Sequence, residues 1–503
     1  MNRFYWILLG YLTSLSLNLT AQQNNNTKYI FTLDEVIQLA KDQSLDGIAA
    51  KHSFRASYYS FRAYKADYLP KLTLNTSPTT YNHSIRQVES VVNEEYQTRE
   101  VETNTFSTTA GLSLSQNIGW TGGNISLNSD FSRFHNMNDD SDEARQYTTA
   151  PIKLQLRQPL NGYNSLKWQK KIEPLKFQEA KQNYIVSMEQ VASNAVSYFF
   201  ALAQAQIELR MAETNYKNAG ELYEIAKGRY QIGTIAEDAL LQMELRYMQA
   251  ESNLNNAKMN IEVRQSRLRS FLGFKDNIDI ELEINPEVPS MKIPYNKALE
   301  YALDQSPDII SYNRRILEAE QSMASAKANK GITMNLNASF GLNKTGYEFK
   351  DAYKPKFDDQ EGVALSITVP ILDWNQAKDR YRNAKSNMEM VETQMQQAET
   401  DFRQEIYLQV MQFNMQEDQL RIAAKADTIA QKGYEVSRQR YLNGKVSVTD
   451  LNIADSEKDA ATKSYIGALQ TYWSYFYTVR RITLYDFIKN EPLEEDFSLI
   501  VGE

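Results

Sequence analysis

The sequence predicts a mostly α-helical protein in which a long helical hairpin occurs twice and each copy also carries β-strands. Three observations support this fold class. Helix-forming residues dominate two windows without proline, 175–285 and 371–491. Residues of the first window recur in the second at a constant displacement of 211 positions. Apolar and polar residues alternate strictly ahead of the second window, over 332–342, which is typical of a strand.

The clearest duplicated motif is an Arg-Tyr pair that a glycine follows closely. Glycine readily adopts the left-handed conformation that ends a helix, so each motif predicts a sharp turn between two helices. The two copies of the motif are Arg229, Tyr230 and Gly233, and Arg440, Tyr441 and Gly444.

The N-terminal segment has the features of a secretory signal. Arg3 precedes an apolar run from about Tyr5 to Leu19, and the small residue Ala21 follows, which predicts cleavage after Ala21. A single membrane anchor is the alternative, although the run is short for a span. The chain has no cysteine, which excludes disulfides and thiolate metal sites. Its net charge of −8 gives no electrostatic reason to expect nucleic acid.

The first helix is predicted to begin after Thr32, because Glu35 stands three residues later and completes a capping box. It is expected to continue, with a break near Leu45, to about Asp67. In the second copy, alternation over 332–342 and 363–369 predicts a β-hairpin around a polar loop, Lys344–Glu361.

The first copy carries an insertion that predicts an extra hairpin. Its outer strands are expected at Leu72 and Leu74 and at 152–156, and about 51 further residues lie between them. The insertion alternates around Leu112 and around Leu127. The first copy is therefore expected to supply four strands and the second copy two.

Each strand region ends in a proline that an aromatic residue follows: Pro159 with Tyr163, and Pro370 with Trp374. Aromatic residues at this level, together with Trp120, match the girdle found where a membrane protein meets water. Ordinary packing beneath the strands is the alternative.

The long helices set the predicted domain boundaries. The first is expected from about Asn164 to Ile232, on the order of 100 Å at ~1.5 Å per residue. Return helices are expected over about Glu237–Leu272 and Thr449–Ile488. The predicted segments are a signal peptide (1–21), a first repeat (22–274), a connector (275–292), a second repeat (293–488) and a C-terminal tail (489–503).

Catalytic chemistry has little support in the sequence. The three histidines, His52, His83 and His135, are scattered and form no metal or triad motif. The segment 341–345 resembles a phosphate loop only weakly, because it lacks the first glycine and lies in a strand pattern. No catalytic, metal-binding or cofactor-binding residue is predicted, and the protein is not expected to be an enzyme.

The apolar surface predicts self-association instead. Two long amphipathic hairpins carry more apolar surface than one chain can bury, so several chains are expected to form a helical bundle. The strands of one chain are too few to close a barrel, and open strand edges cannot face lipid. Several copies are therefore expected to share one membrane β-barrel and one helical cylinder.

In this order of elements the chain resembles the TolC-like outer membrane efflux family over about Thr32–Phe487. The two strand-to-helix junctions and the two glycine turns, in duplicate, carry the resemblance. It implies a homotrimer, with a β-barrel among the lipids of the outer membrane and a periplasmic helical tunnel (an α-barrel). It further implies a periplasmic membrane-fusion adaptor and an inner-membrane transporter of the RND, ABC or MFS type, with no nucleic-acid partner.

The resemblance also assigns site residues. Asp450 matches the acidic constriction of the tunnel entrance, and Tyr441 matches a tyrosine that holds the entrance closed. An acid at a helix N-terminus, stabilised by the helix dipole, is the alternative for Asp450. The residues that match the tips recognised by adaptors are Gly233, Gly444, Tyr230, Arg229 and Arg440.

The first tip departs from the family pattern. Ala239 stands where the family often has an acid, while Glu237 and Asp238 come just before it, so these two acids are further gate candidates. Val446 and Ile453 replace an arginine and a second acid of the second tip. The gate is therefore expected to use different contacts.

The expected function is that of a passive export duct in the outer membrane with a periplasmic helical domain. The first alternative is the same fold serving type I protein secretion. The second, from another class, is a periplasmic coiled-coil scaffold.

Overall fold

The computed structural model describes residues 28–92, 95–138, 141–275 and 278–502, so the predicted signal segment lies outside the described residues. Helices and strands of the first half follow the predicted order, apart from its first and last strands, which were not predicted. They are β1 (Lys28–Phe31), α1 (Leu33–Gln43), α2 (Leu45–Ala66), β2 (Lys71–Val92), β3 (Glu95–Ile118), β4 (Gly123–Asn136), β5 (Arg145–Pro159), α3 (Ser165–Gln231), α4 (Glu237–Leu272) and β6 (Asp279–Leu282).

The second half repeats these helices with the same lengths. Helices of 11, 22, 67 and 36 residues occur in this order in both halves. The remaining elements are α5 (Tyr295–Gln305), α6 (Pro307–Ala328), β7 (Thr333–Gly346), β8 (Asp358–Thr368), α7 (Gln376–Leu442), α8 (Val448–Thr483), β9 (Tyr485–Asp486), β10 (Glu491–Pro492) and α9 (Phe497–Val501).

The start of α1 and its break are as the sequence predicts. The Thr32 backbone N–H donates to Glu35 Oε2 at 2.8 Å, and the Glu35 N–H donates to Thr32 Oγ1 at 3.4 Å, which confirms the capping box. Ser44 separates α1 from α2, and its Oγ accepts from the Gly47 N–H at 3.0 Å. Side-chain oxygens thus satisfy the backbone donors at both helix starts.

The chain divides into two compact units, and α3, α7 and α8 contribute to both. The first, here called the tip unit, takes in the described residues of 28–47, 191–290 and 416–474. The second, here called the sheet unit, takes in those of 48–190, 291–415 and 475–502.

The sheet unit contains a six-stranded antiparallel sheet in the order β2-β3-β4-β5-β7-β8. The first half supplies four of these strands, and β3 and β4 occupy the insertion. One apolar row crosses five strands in register, and all of its side chains are exposed. The row consists of Leu72, Leu114, Leu127, Leu154 and Phe340.

The opposite face of the sheet is polar. Because side chains alternate between faces, the neighbours of the apolar row form a second row in register, Thr73, Ser113, Asn128 and Lys153, and these are half-buried. Asn128 Nδ2 donates to Gln155 Oε1 at 2.9 Å along this face. One face of the sheet is therefore apolar and accessible, and the other carries hydrogen-bonding groups.

The polar loop of the second hairpin is shorter than predicted. β7 continues to Gly346 and β8 already begins at Asp358, so the prediction of a loop over Lys344–Glu361 was wrong at both ends. Lys344 pairs with Thr149 of β5, and Glu361 pairs with Phe340. Cross-strand pairing thus extends the strands over residues that are polar in sequence.

The C-terminal residues fold back within the sheet unit. Phe54 of α2 is buried beside Tyr184, and its ring lies 4.9 Å from that of Phe497 in α9. The carbonyl of Ile500 accepts from Arg55 Nε at 2.6 Å. The predicted return helix to Ile488 was wrong, because α8 ends at Thr483.

The cause of this early ending lies in the residues that follow α8. Leu484 adopts a positive φ of 52°, and Arg480 Nη1 donates to Asp486 Oδ2 at 2.7 Å. The left-handed residue ends the helix, and the ion pair holds the chain in its new direction.

The connector between the halves is partly a strand. β6 pairs in parallel with β1, which places the N-terminal strand in the tip unit beside the connector. Gln206 of α3 holds β6 at two points, since its Nε2 donates to Ile280 O at 2.7 Å and its Oε1 accepts from Leu282 N at 3.1 Å. The sequence analysis missed this pair, because four-residue strands leave too short a pattern.

Among the helices that the structure describes, none is both long enough and apolar enough to cross a membrane.

Candidate functional site

The two glycine turns of the tip unit have the same backbone hydrogen bonds. Gly233 and Gly444 adopt φ values of 74° and 70°. Each glycine N–H donates to the carbonyl of the preceding tyrosine at 2.9 Å, and the next residue donates to the arginine carbonyl at 2.9 Å. This is the Schellman ending of a helix, and it explains why a glycine stands at both positions.

The two tip tyrosines lie in different environments although they are equivalent in sequence. Tyr441 is 5% exposed and packs in an apolar cluster with Leu222, Met243 and Leu451, whereas Tyr230 is 41% exposed. Burial raises the pKa of the Tyr441 hydroxyl. The duplication therefore produces one core tyrosine and one surface tyrosine.

Arg229 joins the two tips within one protomer. Its Nη2 donates to the carbonyl of Leu442 at 2.8 Å, and its guanidinium carbon lies 5.6 Å from the centre of the Tyr441 ring. The arginine thus satisfies one of the last carbonyls of α7 and adds a cation–π contact. Its equivalent, Arg440, is exposed.

Asp450 closes a capping box at the start of α8. Its Oδ2 accepts from Ser447 Oγ at 2.7 Å and from Ser447 N at 3.1 Å, and the Asp450 N–H donates to Ser447 Oγ at 3.2 Å. The hydrogen bonds from Ser447 hold the pKa of the Asp450 carboxyl below its ordinary value of 3.8. Within one protomer, Asp450 therefore fits the alternative interpretation, which is an acid that stabilises the N-terminus of a helix.

The first tip has no such box. Ala236 stands at the N-cap of α4 without a side-chain hydrogen bond, and it occupies the place that Ser447 has in the second tip. Glu237 and Asp238 lie in the first turn of α4, and both are exposed. Their charges favour the helix start through the dipole.

A charged network near the second tip was not anticipated from the sequence. Asp455 of α8 forms ion pairs with Arg246 of α4 and with Lys458, whose Nζ lies 2.8 Å from Asp455 Oδ1. Lys458 also lies 3.2 Å from Asp459 Oδ1, and Asp459 Oδ2 accepts from Asn215 Nδ2 of α3 at 2.7 Å. One group of side chains therefore joins α3, α4 and α8.

Helix α7 also contacts this network, through Tyr434. Lys458 Nζ lies 4.3 Å from the centre of the Tyr434 ring. Burial alone would lower the pKa of Lys458, but the hydrogen bond and charge of Asp455, with the charge of Asp459, raise it. The spacing of Asp455, Lys458 and Asp459 was a local signal in the sequence, but their partners on α3 and α4 were not visible there.

A groove of about 780 Å³ lies beside the network, between α3, α4 and α8. Its α4 wall contains a row of amides together with Leu245, Arg246 and two alanines; the amides are Gln242, Gln249, Asn253, Asn256 and Asn260. Neutral amides offer no charge for a metal, and within the described ranges no three His, Asp or Glu side chains are grouped to hold one.

The junction residues lie in the sheet unit. Pro159 ends β5, and the Tyr163 hydroxyl accepts from Gln321 Nε2 at 2.6 Å. Pro370 follows β8, while Trp374 adopts a φ of 52° and is 84% exposed. Tyr163 is therefore half-buried and hydrogen-bonded, and Trp374 presents its ring to the surroundings.

Solved structures of outer membrane channels have the same fold as this chain. The CmeC outer membrane channel of Campylobacter jejuni matches with a TM-score of 0.65 and 17% identity, over 93% of this chain and 88% of that chain. The outer-membrane channel OprN matches with a TM-score of 0.63 and 15% identity, over 90% and 89%. The fold is that of outer membrane channels.

The sequence family is equally clear. The family model for outer membrane efflux proteins matches residues 36–274 and 298–482, and the chain belongs to this family. Membership implies a location in the outer membrane.

Two curated relatives are similar to about half of the chain. The alkaline protease secretion protein AprF of Pseudomonas aeruginosa is 22% identical over 262 residues, and the toxin and drug export protein A of Aggregatibacter actinomycetemcomitans is 20% identical over 271. These alignments take in 50% and 53% of this chain, which spans only 52% and 58% of the relatives' length.

Proposed function

We propose that the protein is a passive duct that carries substrates across the outer membrane for a transporter in the inner membrane. The observation that carries the proposal is the sheet with one accessible apolar face and one polar face. In a membrane protein the apolar face meets lipid, and the polar face lines a water-filled path. We infer that three copies contribute their sheets and helical hairpins to one channel, and that the hairpins form its periplasmic part.

The proposed gate lies at the helix tips. Three Asp450 carboxylates around the axis would repel one another and attract cations, so the entrance is expected to prefer cations. Tyr441, held by Arg229, keeps the second tip packed against the first in each protomer. Glu237 and Asp238 add negative charge at the same end of the hairpins. Opening then requires the two tips of each protomer to move apart.

The proposed partners meet the duct at its tips. A periplasmic adaptor would recognise the surface around Gly233 and Gly444, with exposed Tyr230 and Arg440 and with Arg229 between them. The inner-membrane transporter, of the RND, ABC or MFS type, would supply the energy, since a duct of this kind has no energy source of its own.

Polypeptide secretion is the second candidate function. It is favoured by the names of the two curated relatives, since one secretes a protease and the other exports toxin and drug. In this variant the transporter would be an ABC exporter of a type I system. The identity of the transporter that co-purifies with the protein separates the two candidates.

The first test is single-channel conductance of the purified protein in a planar bilayer, with wild type beside Asp450→Asn. Small, cation-selective openings that lose selectivity in the variant are expected. Ser447→Ala is the control, because it removes the two hydrogen bonds that the Ser447 hydroxyl makes in the capping box while the charge of Asp450 stays. A folded trimer that never conducts would contradict the duct. Selectivity lost equally in both variants would contradict the acidic gate.

A further inference from the structure

Helix α7 carries an exposed apolar stripe in the tip unit. Ile422, Ile429 and Val436 are spaced seven residues apart, and each is 56–60% exposed. A seven-residue spacing keeps side chains on one face of a helix, as in a coiled-coil seam. Large β-branched side chains left in water in this way indicate a helix partner that the protomer does not itself supply.

Helix α4 carries a second stripe in the same unit. Leu241 and Met248 are also seven residues apart, Leu245 lies between them, and all three are 55–63% exposed. Leu245 also lines the groove beside the amides, whereas Leu241 and Met248 are not among the residues that line it. Each protomer therefore presents two separate apolar stripes, one on α4 and one on α7.

Residues of the two stripes lie at equal distances along the chain from the two glycine turns. Leu241 lies eight residues after Gly233, and Val436 lies eight residues before Gly444. Met248 and Ile429 are each fifteen residues from the same glycines. The hydrogen bond from Arg229 to Leu442 shows that the two turns of one protomer lie at one level. Because α4 leaves its turn and α7 approaches its own, an α4 and an α7 of adjacent copies would run antiparallel.

Charges beside the stripes are complementary. Glu244 and Glu251 each follow a stripe residue of α4 by three positions, and Lys425 and Lys432 do the same on α7. When two helices pack antiparallel, residues that follow their stripes by the same number of positions lie on the same side of the contact. Glu244 and Glu251 of one copy would therefore face Lys432 and Lys425 of the adjacent copy. Counted from the turns, Glu244 and Lys432 are 11 and 12 residues away, and Glu251 and Lys425 are 18 and 19 residues away.

None of these four side chains has an ion-pair partner within 4.0 Å among the residues that the structure describes. Their charges are therefore available to an adjacent copy.

Gly433 supplies a further observation on the same face of α7. It lies between Ile429 and Val436, and a Cβ added there would meet nothing within 4 Å in the described chain. Glycine inside a helix costs about 0.5–1 kcal/mol relative to alanine. With no contact inside the protomer to explain it, the glycine fits a place where a second helix approaches closely.

We infer that the α7 stripe of one copy binds the α4 stripe of the next copy, with Leu241 beside Val436 and Met248 beside Ile429. The contact joins two different surfaces, so it repeats from copy to copy, and in the proposed trimer the third copy meets the first and closes a ring. The inference rests on the proposed trimer, to which it adds the surfaces in contact and their register.

Disulfide cross-linking tests the register directly, because the chain has no native cysteine. The matched double variant Met248→Cys with Ile429→Cys is oxidised in the full-length, detergent-purified protein, and bands of two and three linked copies are expected. The mismatched variant Leu241→Cys with Ile429→Cys is the control. Its cysteines are seven residues out of level, about 10 Å along the helices, which is beyond disulfide reach.

Single-cysteine variants complete the design. Met248→Cys alone is expected to give no linked copies, while a mixture of copies carrying Met248→Cys or Ile429→Cys is expected to link in pairs. Linking of a single variant would overturn the inference, because it would mean that like surfaces meet. The same holds if the mismatched pair links as well as the matched pair, or if the matched pair stays unlinked in an intact trimer.

The charge pairs are tested by exchange. Lys432→Glu is expected to lower the temperature at which the trimer dissociates, and adding Glu244→Lys is expected to restore it. The non-facing combination of Lys432→Glu with Glu251→Lys is the control and is expected to restore less. Equal rescue by both combinations would contradict the proposed pairing.

These outcomes separate the interface from the function. An unlinked matched pair in a trimer that conducts ions contradicts the interface and leaves the duct intact. A trimer that links as expected but neither conducts nor supports export contradicts the duct and leaves the interface intact.

Discussion

The buried charges that join the helices of the tip unit allow a quantitative prediction. Asp455 is 12% exposed on its side chain, and its partners Arg246 and Lys458 are 18% and 15% exposed. Asp455→Ala would leave these two cations facing one another, with Asp459 as the only remaining carboxylate of the network. The variant is therefore expected to destabilise the tip unit.

The size of the effect follows from the burial. Removing one partner of a buried ion pair costs about 3–5 kcal/mol, and the partial exposure here favours the lower end, about 3 kcal/mol. For a unit of some 200 residues, each kcal/mol corresponds to roughly 2–4 °C, so a fall of about 6–12 °C in melting temperature is expected. Because the network ties α3, α4 and α8 together, the tips are also expected to open more often.

Thermal unfolding followed by circular dichroism measures the first effect, and open probability in a planar bilayer measures the second. Glu221→Ala is the matched control. Its pair with Arg438 also joins two helices of the tip unit, but the side chains are 50% and 40% exposed and 3.4 Å apart. Such a pair contributes about 0–1 kcal/mol. Equal melting temperatures for the Asp455 and Glu221 variants would refute the assignment of a stabilising role to burial.

Three further predictions concern the tips and the sheet unit. Gly233→Ala and Gly444→Ala are each expected to lower tip stability by about 1–2 kcal/mol, measured by thermal unfolding. The cost is backbone strain at a positive φ, because an added Cβ meets no atom within 4 Å at either glycine. The pKa of Asp450 is lowered in the folded state, so its stabilising contribution is present above the unfolded pKa and is lost as pH falls through the folded value. Cation selectivity in bilayers is therefore expected to persist as the pH is lowered to the ordinary pKa of an aspartate and to disappear only at more acidic pH. Phe54→Ala is expected to destabilise the sheet unit by about 3–5 kcal/mol in chemical unfolding, while Tyr59→Ala on the exposed face of α2 stays within about 0.5 kcal/mol.

Long-range order in the chain was predictable because it repeats. The 211-residue displacement fixed the two hairpins, and the structure has their helices within a residue of the predicted bounds around Gly233. The strands were predictable for the same reason, because the alternation of apolar and polar residues repeats with a period of two over many residues. Helix starts were predictable where the sequence has a capping box, as at Thr32.

Contacts between distant segments were not predictable. The β1–β6 pair, the folding back of α9 onto Phe54 and the network around Asp455 each depend on residues that the sequence places far apart. A short strand or a lone arginine has no periodicity to reveal it. The local half of the network was visible as Asp455 and Lys458, whereas Arg246, 209 positions away, was not.

The two tips differ in structure although their sequences are similar. A capping box needs an oxygen at the N-cap and an acid three residues later, and only the second tip has both, in Ser447 and Asp450. The first tip has alanine at both places, and its tyrosine, Tyr230, is exposed while Tyr441 is buried. The second tip is thus fixed by its own cap and by Arg229, which reaches across from the first. If α7 and α8 move as one body against α3 and α4, the contacts of Arg229 and the bonds from Asp455 to Arg246 and from Asp459 to Asn215 must break, while the Asp450 cap can stay intact.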